Sequence, residues 1–356
     1  MLKPRIKPGL HPVPLRNGEI RLGSKAIADP DGSVRTLLAV TDGRPAADII
    51  AAVTKAHPHK TPESVRAALG RLIDAGFVED AGGPVPPVLT PELQRRYASC
   101  CDYWMALDRQ PRESRWMPQA RLLEASVACA GVGGAGSVAA LTLTAAGVGH
   151  LDLIDPDVVE ERNLARQLLY SESDIGALKA EAAANRLRQL NRHTKITATP
   201  ARIGSAADLM QVARRCDVLL LTADRPWRDL RIWANRACLA TGRAWVDAGY
   251  RGARVQAAAY RPGAGPCWEC VQATSQERQA QQGILPAGPE DRPAATAAPS
   301  TALSGSLAAH LVTGLITGAP AVTPGAVQSI ILADLTRTVV FAPAARPGCP
   351  ACGTRT

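Results

Sequence analysis

The chain has 356 residues, 46% of them hydrophobic and 21% charged. Single hydrophobic cores stop growing near about 250–300 residues, so one small and one large domain are expected, and the composition excludes a disordered chain. The formal charge of +9 reads as solvated surface: only 7 of the 41 basic residues are lysines, the arginines are scattered, and no basic block interleaves with aromatics to make a nucleic-acid face.

Residues 1–15 alternate basic residues with prolines and lack the apolar stretch of a signal peptide. The longest weakly polar run, 306–322, is broken by His310, glycines and Pro320, short of the roughly 18 apolar residues a membrane helix needs. Nine cysteines, five of them outside any paired pattern, suit a reducing compartment. A cytoplasmic protein with neither nucleic acid nor membrane as partner is expected.

Residues 10–27 hold two short apolar stretches around Arg16-Asn17-Gly18, and Asn-Gly is a hairpin turn signal. Residues 33–40 and 46–53 are helix-like. A third helix over 61–75 has Thr61 as N-cap, Pro62 in its first turn, and Val65, Ala68, Leu69, Leu72 and Ile73 at helical spacing. Gly76 closes it, and Phe77-Val78 resumes as a strand. This winged-helix-like order predicts a small α+β domain over 1–80. Three roles remain open for it: a packing or dimerisation module, peptide capture by strand addition to an open sheet edge, and DNA binding. The last is disfavoured because the third helix carries only Arg66 and Arg71. Residues 81–93 form a Gly/Pro linker, and 94–356 a large domain containing a mobile low-complexity loop over 276–300.

A short strand over 124–130 runs into Gly131-Val-Gly133-Gly134-Ala-Gly136-Ser, then a helix over 138–146 and a second strand over 151–154 ending at Asp155. Glycines let backbone N–H groups approach phosphate at a helix N-terminus, and Asp155, 19 residues past Gly136, stands where a carboxylate meets ribose hydroxyls. This context predicts a nucleotide site without separating ATP from NAD or FAD. Downstream, Asn163, Arg166 and Lys179 cluster soon after the ribose acid, and a strand over 217–221 ends in Thr222-Ala-Asp224. Nucleotidyl transfer needs such groups, because charge builds on the α-phosphate and departing pyrophosphate, whereas hydride transfer does not.

GVGGAGS, GVGHLDLIDPDVVEERNLARQ, DIGALKAEAA and TAD together resemble the adenylyltransferase domain of the ThiF/MoeB ubiquitin-activating-type superfamily, over roughly residues 95–352. The resemblance implies a Rossmann-like mixed sheet and a homodimer that uses ATP and Mg²⁺ to adenylate the C-terminal carboxylate of a peptide or small carrier protein. It implies that Gly131, Gly133, Gly134 and Gly136 line the nucleotide, Asp155 holds the ribose, Asn163, Arg166 and Lys179 meet the phosphates, and Asp224 holds Mg²⁺. It also implies an arginine supplied by the partner subunit. Arg96 matches best, in Arg95-Arg96-Tyr97, with Arg95 and Arg121 as alternatives.

Cys267-Trp-Glu-Cys270 and Cys349-Pro-Ala-Cys352 are C-x-x-C pairs with 78 residues between them. Together they offer a closed tetrahedral Zn²⁺ site of structural role, with redox pairs as the alternative. Cys129, Cys216 and Cys238 sit in apolar patterns and read as core, and no cysteine between 271 and 348 offers an acyl acceptor. The N-terminal domain resembles the peptide-clamp domain of enzymes that modify ribosomally made peptides, as in the microcin C adenylating enzyme. That implies adenylation of a precursor peptide. A sulfur-carrier adenylyltransferase, and a non-catalytic leader-binding partner of a cyclising enzyme, are the alternatives.

Overall fold

The computed structural model describes residues 2–284 and 296–353. By contact the chain divides into two compact units, Met1–Arg121 with Thr317–Pro320, and Leu122–Ile316 with Ala321–Thr356.

The first unit contains strands β1 (Pro4–Ile6), β2 (Val13–Pro14), β3 (Ile20–Leu22), β4 (Lys25–Ile27) and β5 (Val78–Asp80), and helices α1 (Ser33–Val40), α2 (Ala46–Ala56) and α3 (Pro62–Asp74). The hairpin β2–β3 forms where Asn17-Gly18 predicts it, with Gly18 at φ +83°. A second hairpin, β3–β4, turns at Gly23-Ser24, with φ +61° at Gly23. β1 pairs with β5 across most of the unit, Pro4 opposite Asp80. Thr61 caps α3 by accepting the Ser64 N–H, and Val65, Leu69 and Leu72 enter a core with Leu37, Leu38, Ile49, Val53, Ile20 and Leu22. A Cβ added to Gly76 (φ +72°) would stand 2.0 Å from the Arg109 carbonyl oxygen, so the turn after α3 requires glycine. The buried Lys7 ammonium donates to the carbonyls of Asp108 (2.8 Å) and Gln110 (3.2 Å), and burial pulls its pKa below the ordinary lysine value. The compact unit therefore takes in α4 (Pro91–Leu107), beyond the sequence boundaries at 80 and 93.

α5 (Met117–Glu124) leads to the second unit, whose elements are β6 (Ser126–Ala130), α6 (Gly134–Ala146), β7 (His150–Ile154), α7 (Lys179–Leu190), β8 (Lys195–Thr199), α8 (Ala206–Arg214), β9 (Val218–Leu221), α9 (Trp227–Thr241), β10 (Ala244–Arg251), β11 (Arg254–Tyr260), α10 (Trp268–Gln281), α11 (Ala298–Thr317), β12 (Val327–Ile331) and β13 (Thr338–Phe341). They build one mixed sheet in the order β13-β12-β11-β10-β9-β6-β7-β8. It is parallel from β8 to β10 and antiparallel from β10 to β13, giving the α/β mixed sheet the sequence implies. β6 lies between β7 and β9, so the chain reverses its direction of progress there, and the crevice at such a switch point is where open α/β sheets bind ligands. β9, Val-Leu-Leu-Leu, is buried along its whole length, as a central parallel strand must be. Trp245 stacks on Tyr260 with ring centroids 4.7 Å apart.

The loop expected over 276–300 is only partly one: α10 continues to Gln281, α11 begins at Ala298, and 285–295 lie outside the described residues. Among the described residues no helix is long and apolar enough to cross a membrane.

Candidate active site and cysteine cluster

The glycine loop leaves the C-terminal end of β6 and enters α6 with Gly133 as N-cap. Its glycines do different work. Gly131 has φ +95°, and a Cβ there would meet the Ala223 nitrogen at 2.6 Å. A Cβ on Gly136 would lie 2.0 Å from the Gly131 oxygen and 2.5 Å from Thr222 Oγ1. One on Gly134 would meet Thr301 Cγ2 at 2.6 Å and the Tyr250 hydroxyl at 2.8 Å. Gly133 is different: among the described residues, chain neighbours aside, its Cβ position has only Gln167 Nε2, at 3.7 Å, within 4 Å. Three glycines allow close packing and the fourth borders open space. Gly136→Ala is therefore expected to lower Tm by about 5–10 °C, while Gly133→Ala leaves it near wild type; thermal melts of the two variants check this.

Thr222, directly after β9, buttresses the loop by donating from Oγ1 to the Gly131 carbonyl at 2.6 Å. At the end of β7, the buried Asp155 accepts the Val132 N–H at Oδ2 (2.8 Å) and the Asp157 N–H at Oδ1 (2.9 Å). Burial pushes the Asp155 pKa up, against those two N–H groups and the Lys179 charge. With its folded value raised, the stability Asp155 contributes is full below the ordinary carboxylate range and is lost as pH rises through the raised value. The free site thus carries a carboxylate that gains from a further donor.

Lys179 opens α7 with a side chain only 8% exposed, and its Nζ donates to Asp157 Oδ2 at 3.0 Å, a carboxylate that is 58% exposed. The buried Tyr170 hydroxyl ties this lysine to the loop, donating to the Val132 carbonyl at 2.8 Å with the Lys179 carbonyl at 3.3 Å. Asn163 is buried and accepts the Glu160 N–H at 3.2 Å. Arg166 is half-buried; its guanidinium donates to the Arg162 carbonyl at 2.9 Å and its own carbonyl accepts Thr301 Oγ1 at 2.8 Å. Asp224 is exposed just past β9. The four glycines, Asp155 and Asp224 thus follow the ends of three adjacent parallel strands, and Asn163, Arg166 and Lys179 lie on the segments after β7. Arg96 is exposed in the first unit with its guanidinium 5.8 Å from the Tyr97 ring centroid, Arg95 is also exposed, and Arg121 reaches the Thr317 carbonyl at 3.5 Å. Thr222, Tyr170, Thr301 and Gln167 were not singled out from the sequence, where only the adjacency of Thr222 to Asp224 and of Gln167 to Arg166 hinted at them.

The four paired cysteines converge. Their sulfurs all lie within 4.8 Å of one another, with Cys267–Cys270 at 3.8 Å, Cys267–Cys349 at 3.7 Å and Cys270–Cys352 at 3.4 Å. Sulfurs about 2.3 Å from a tetrahedral ion stand about 3.8 Å apart, so the donor set could hold a metal ion with no ligand position left open. Local contacts fix the cage: the Asn235 side-chain oxygen accepts the Trp268 N–H at 3.1 Å, and Arg346 pairs with Glu277. Burial holds Cys129, Cys216 and Cys101 as thiols, raising each to about 12.

Comparison with known proteins bears on this geometry. The adenylyltransferase and sulfurtransferase MOCS3 of Sus scrofa is 42% identical over 155 residues, covering 43% of this chain and 33% of that protein. The Mus musculus protein of the same name is 42% identical over 156 residues, with the same coverage. The matched stretch spans about a third of these relatives. E. coli MccB with ATP has a similar structure, with a TM-score of 0.75 at 20% identity over 99% of this chain and 100% of that one. Another crystal structure of E. coli MccB gives 0.78 at 21% identity, over 99% and 98%. PaaA gives 0.68 at 22%, over 94% and 99%. These structures share the fold. Residues 107–351, containing the glycine loop, Asn163, Arg166, Lys179 and the cysteine cluster except Cys352, match the ThiF family, and the chain belongs to that family.

Proposed function

We propose that this protein is an ATP-dependent adenylyltransferase that activates the C-terminal carboxylate of a ribosomally made precursor peptide. The observation that carries this reading is the reach of the structural likeness: it runs over 99% of the chain, the N-terminal unit included, to MccB, one structure of which is a complex with N-formylated MccA and is described as a microcin C7 biosynthetic enzyme. The sequence relatives align over only 43% of the chain.

The chemistry is an in-line displacement. The peptide carboxylate forms a bond to the α-phosphorus, and the bond to the bridging oxygen breaks, its electron pair leaving with pyrophosphate. The loop N–H groups and the α6 N-terminus cradle the phosphates, and Asp155 takes the ribose hydroxyls as the donors its buried carboxylate lacks. Arg166 and Lys179 neutralise charge on the leaving group, with Asn163 beside them. Arg96 from the partner subunit of a homodimer completes the set. Mg²⁺ binds proteins through one or two carboxylates plus substrate phosphates, a habit the exposed Asp224 suits, and when bound it supplies further charge neutralisation. The cysteine cage fits Zn²⁺ in a structural role.

The N-terminal unit has an edge suited to a leader peptide. β4 is an outer strand of β2-β3-β4, whereas the opposite edge carries Pro14. Leu22 and Lys25 flank the two-residue turn and form a hydrogen-bonded pair, so Ala26, opposite Arg21, points its N–H and carbonyl outward. The test is ATP–pyrophosphate exchange by the full chain, offered peptides encoded beside its gene and a diglycine-ended carrier. Exchange with a peptide, lost or reduced at least tenfold in Ala26→Pro while Tm holds, is the expected result. Exchange with the carrier alone would favour the second reading, a sulfur-carrier adenylyltransferase, which the 42% identity to MOCS3 supports. Peptide binding without exchange would leave a non-catalytic leader-binding partner.

A further inference from the structure

Gln167 is not used by the reading above. It is only 4% exposed, and its Oε1 is buried without a hydrogen-bond partner among the described residues. An idle buried carboxamide oxygen is destabilising, and leucine would fill the same space without that cost. The other end of the amide is placed differently. Nε2 stands 3.7 Å from where a Cβ on Gly133 would be, and among the described residues, the two chain neighbours of Gly133 aside, no other atom comes within 4 Å of that point. Gly133 is the N-cap of the thirteen-residue α6, where N–H groups and the helix dipole favour an anion. The backbone fixes this pose, because the Gln167 N–H donates to the Asn163 carbonyl at 2.8 Å and the Gln167 carbonyl accepts the Tyr170 N–H at 3.3 Å.

We propose that Gln167 is a phosphate-contacting residue whose Nε2–H donates to an oxygen of the phosphoryl group seated at Gly133. This rests on the adenylation reading. Phosphate oxygens only accept hydrogen bonds, so they match the donor end of the amide and would be repelled by a carboxylate in its place. Being neutral, Gln167 adds no attraction for the departing pyrophosphate. It fixes the phosphoryl group for attack and gains or loses no proton in the step.

The experiment is isothermal titration calorimetry of the full-length protein with ATP, for wild type, Gln167→Leu and Gln167→Glu, beside thermal melts without nucleotide. Gln167→Leu should melt at or above wild type yet bind ATP about tenfold more weakly, and Gln167→Glu should bind more weakly still. Wild-type affinity in Gln167→Leu would overturn the proposal, as would an affinity that falls only together with Tm, the mark of a structural role. Wild-type protein that binds no ATP would instead overturn the adenylation reading, and this proposal with it.

Discussion

Lys179→Met is expected to reduce ATP–pyrophosphate exchange about a thousandfold or more while leaving the fold intact. The lysine is buried along its stem, and its ammonium rests on Asp157, a carboxylate that is itself largely in water. Such a partner holds the charge in the free enzyme and competes weakly for it once a triphosphate arrives, because exposed ion pairs contribute at most about 1 kcal/mol. Removing one preorganised charge at the developing negative charge of the transition state costs about 10²–10³ in rate where single donors have been deleted, and a full cation in a water-poor site lies at or above that range. Asp157→Asn is the matched control. It removes the resting partner but leaves the Lys179 ammonium in place, so exchange should stay within about threefold of wild type. Equal losses in both variants would show that the pair maintains the α7 entry and that Lys179 has no separate catalytic part.

The second large effect is on stability. Cys270→Ser should abolish metal retention and lower Tm by 10 °C or more, with wild type carrying one zinc per chain by elemental analysis. Structural zinc contributes about 10–16 kcal/mol in small peptides, comparable to the whole stability of a typical domain, so even a fraction of that dominates here. The cage is closed, so exchange activity measured well below the variant's own Tm should survive, and activity should be lost with unfolding rather than ahead of it. Loss of activity in a variant still folded would assign the metal a role in the chemistry.

Much of the second unit is legible in the sequence because its determinants are local. The β6–glycine loop–α6–β7 run, Asp155 at its end and the paired cysteines all announce themselves within short windows. The elements that were missed depend on distant partners. β1 is three residues, Pro4–Ile6, whose partner Asp80 is 76 positions from Pro4, and no alternation in so short a strand can announce that pairing. β8, Lys-Ile-Thr-Ala-Thr, is an edge strand with one buried residue, too weak a pattern to register. In the site, sequence could not rank the four glycines, since their difference lies in what a Cβ would meet across the fold: Thr222 and Thr301 crowd two of them, while Gly133 borders open space. Gln167 was hidden for the same reason, because burial of a polar side chain beside a helix N-terminus leaves no periodic trace.

The cysteine cage also imposes an order on biosynthesis. Its first two cysteines, at the N-cap and in the first turn of α10, are made long before the last two, which close a span of 78 intervening residues. A nascent chain that has released the nucleotide-binding strands still owns only half a cage, and two thiolates hold an ion far less firmly than four. Closure of the cage therefore waits until Cys349 and Cys352 are made, and a chain cut short before Cys349 would leave the ribosome with its glycine loop complete and its cage half-built.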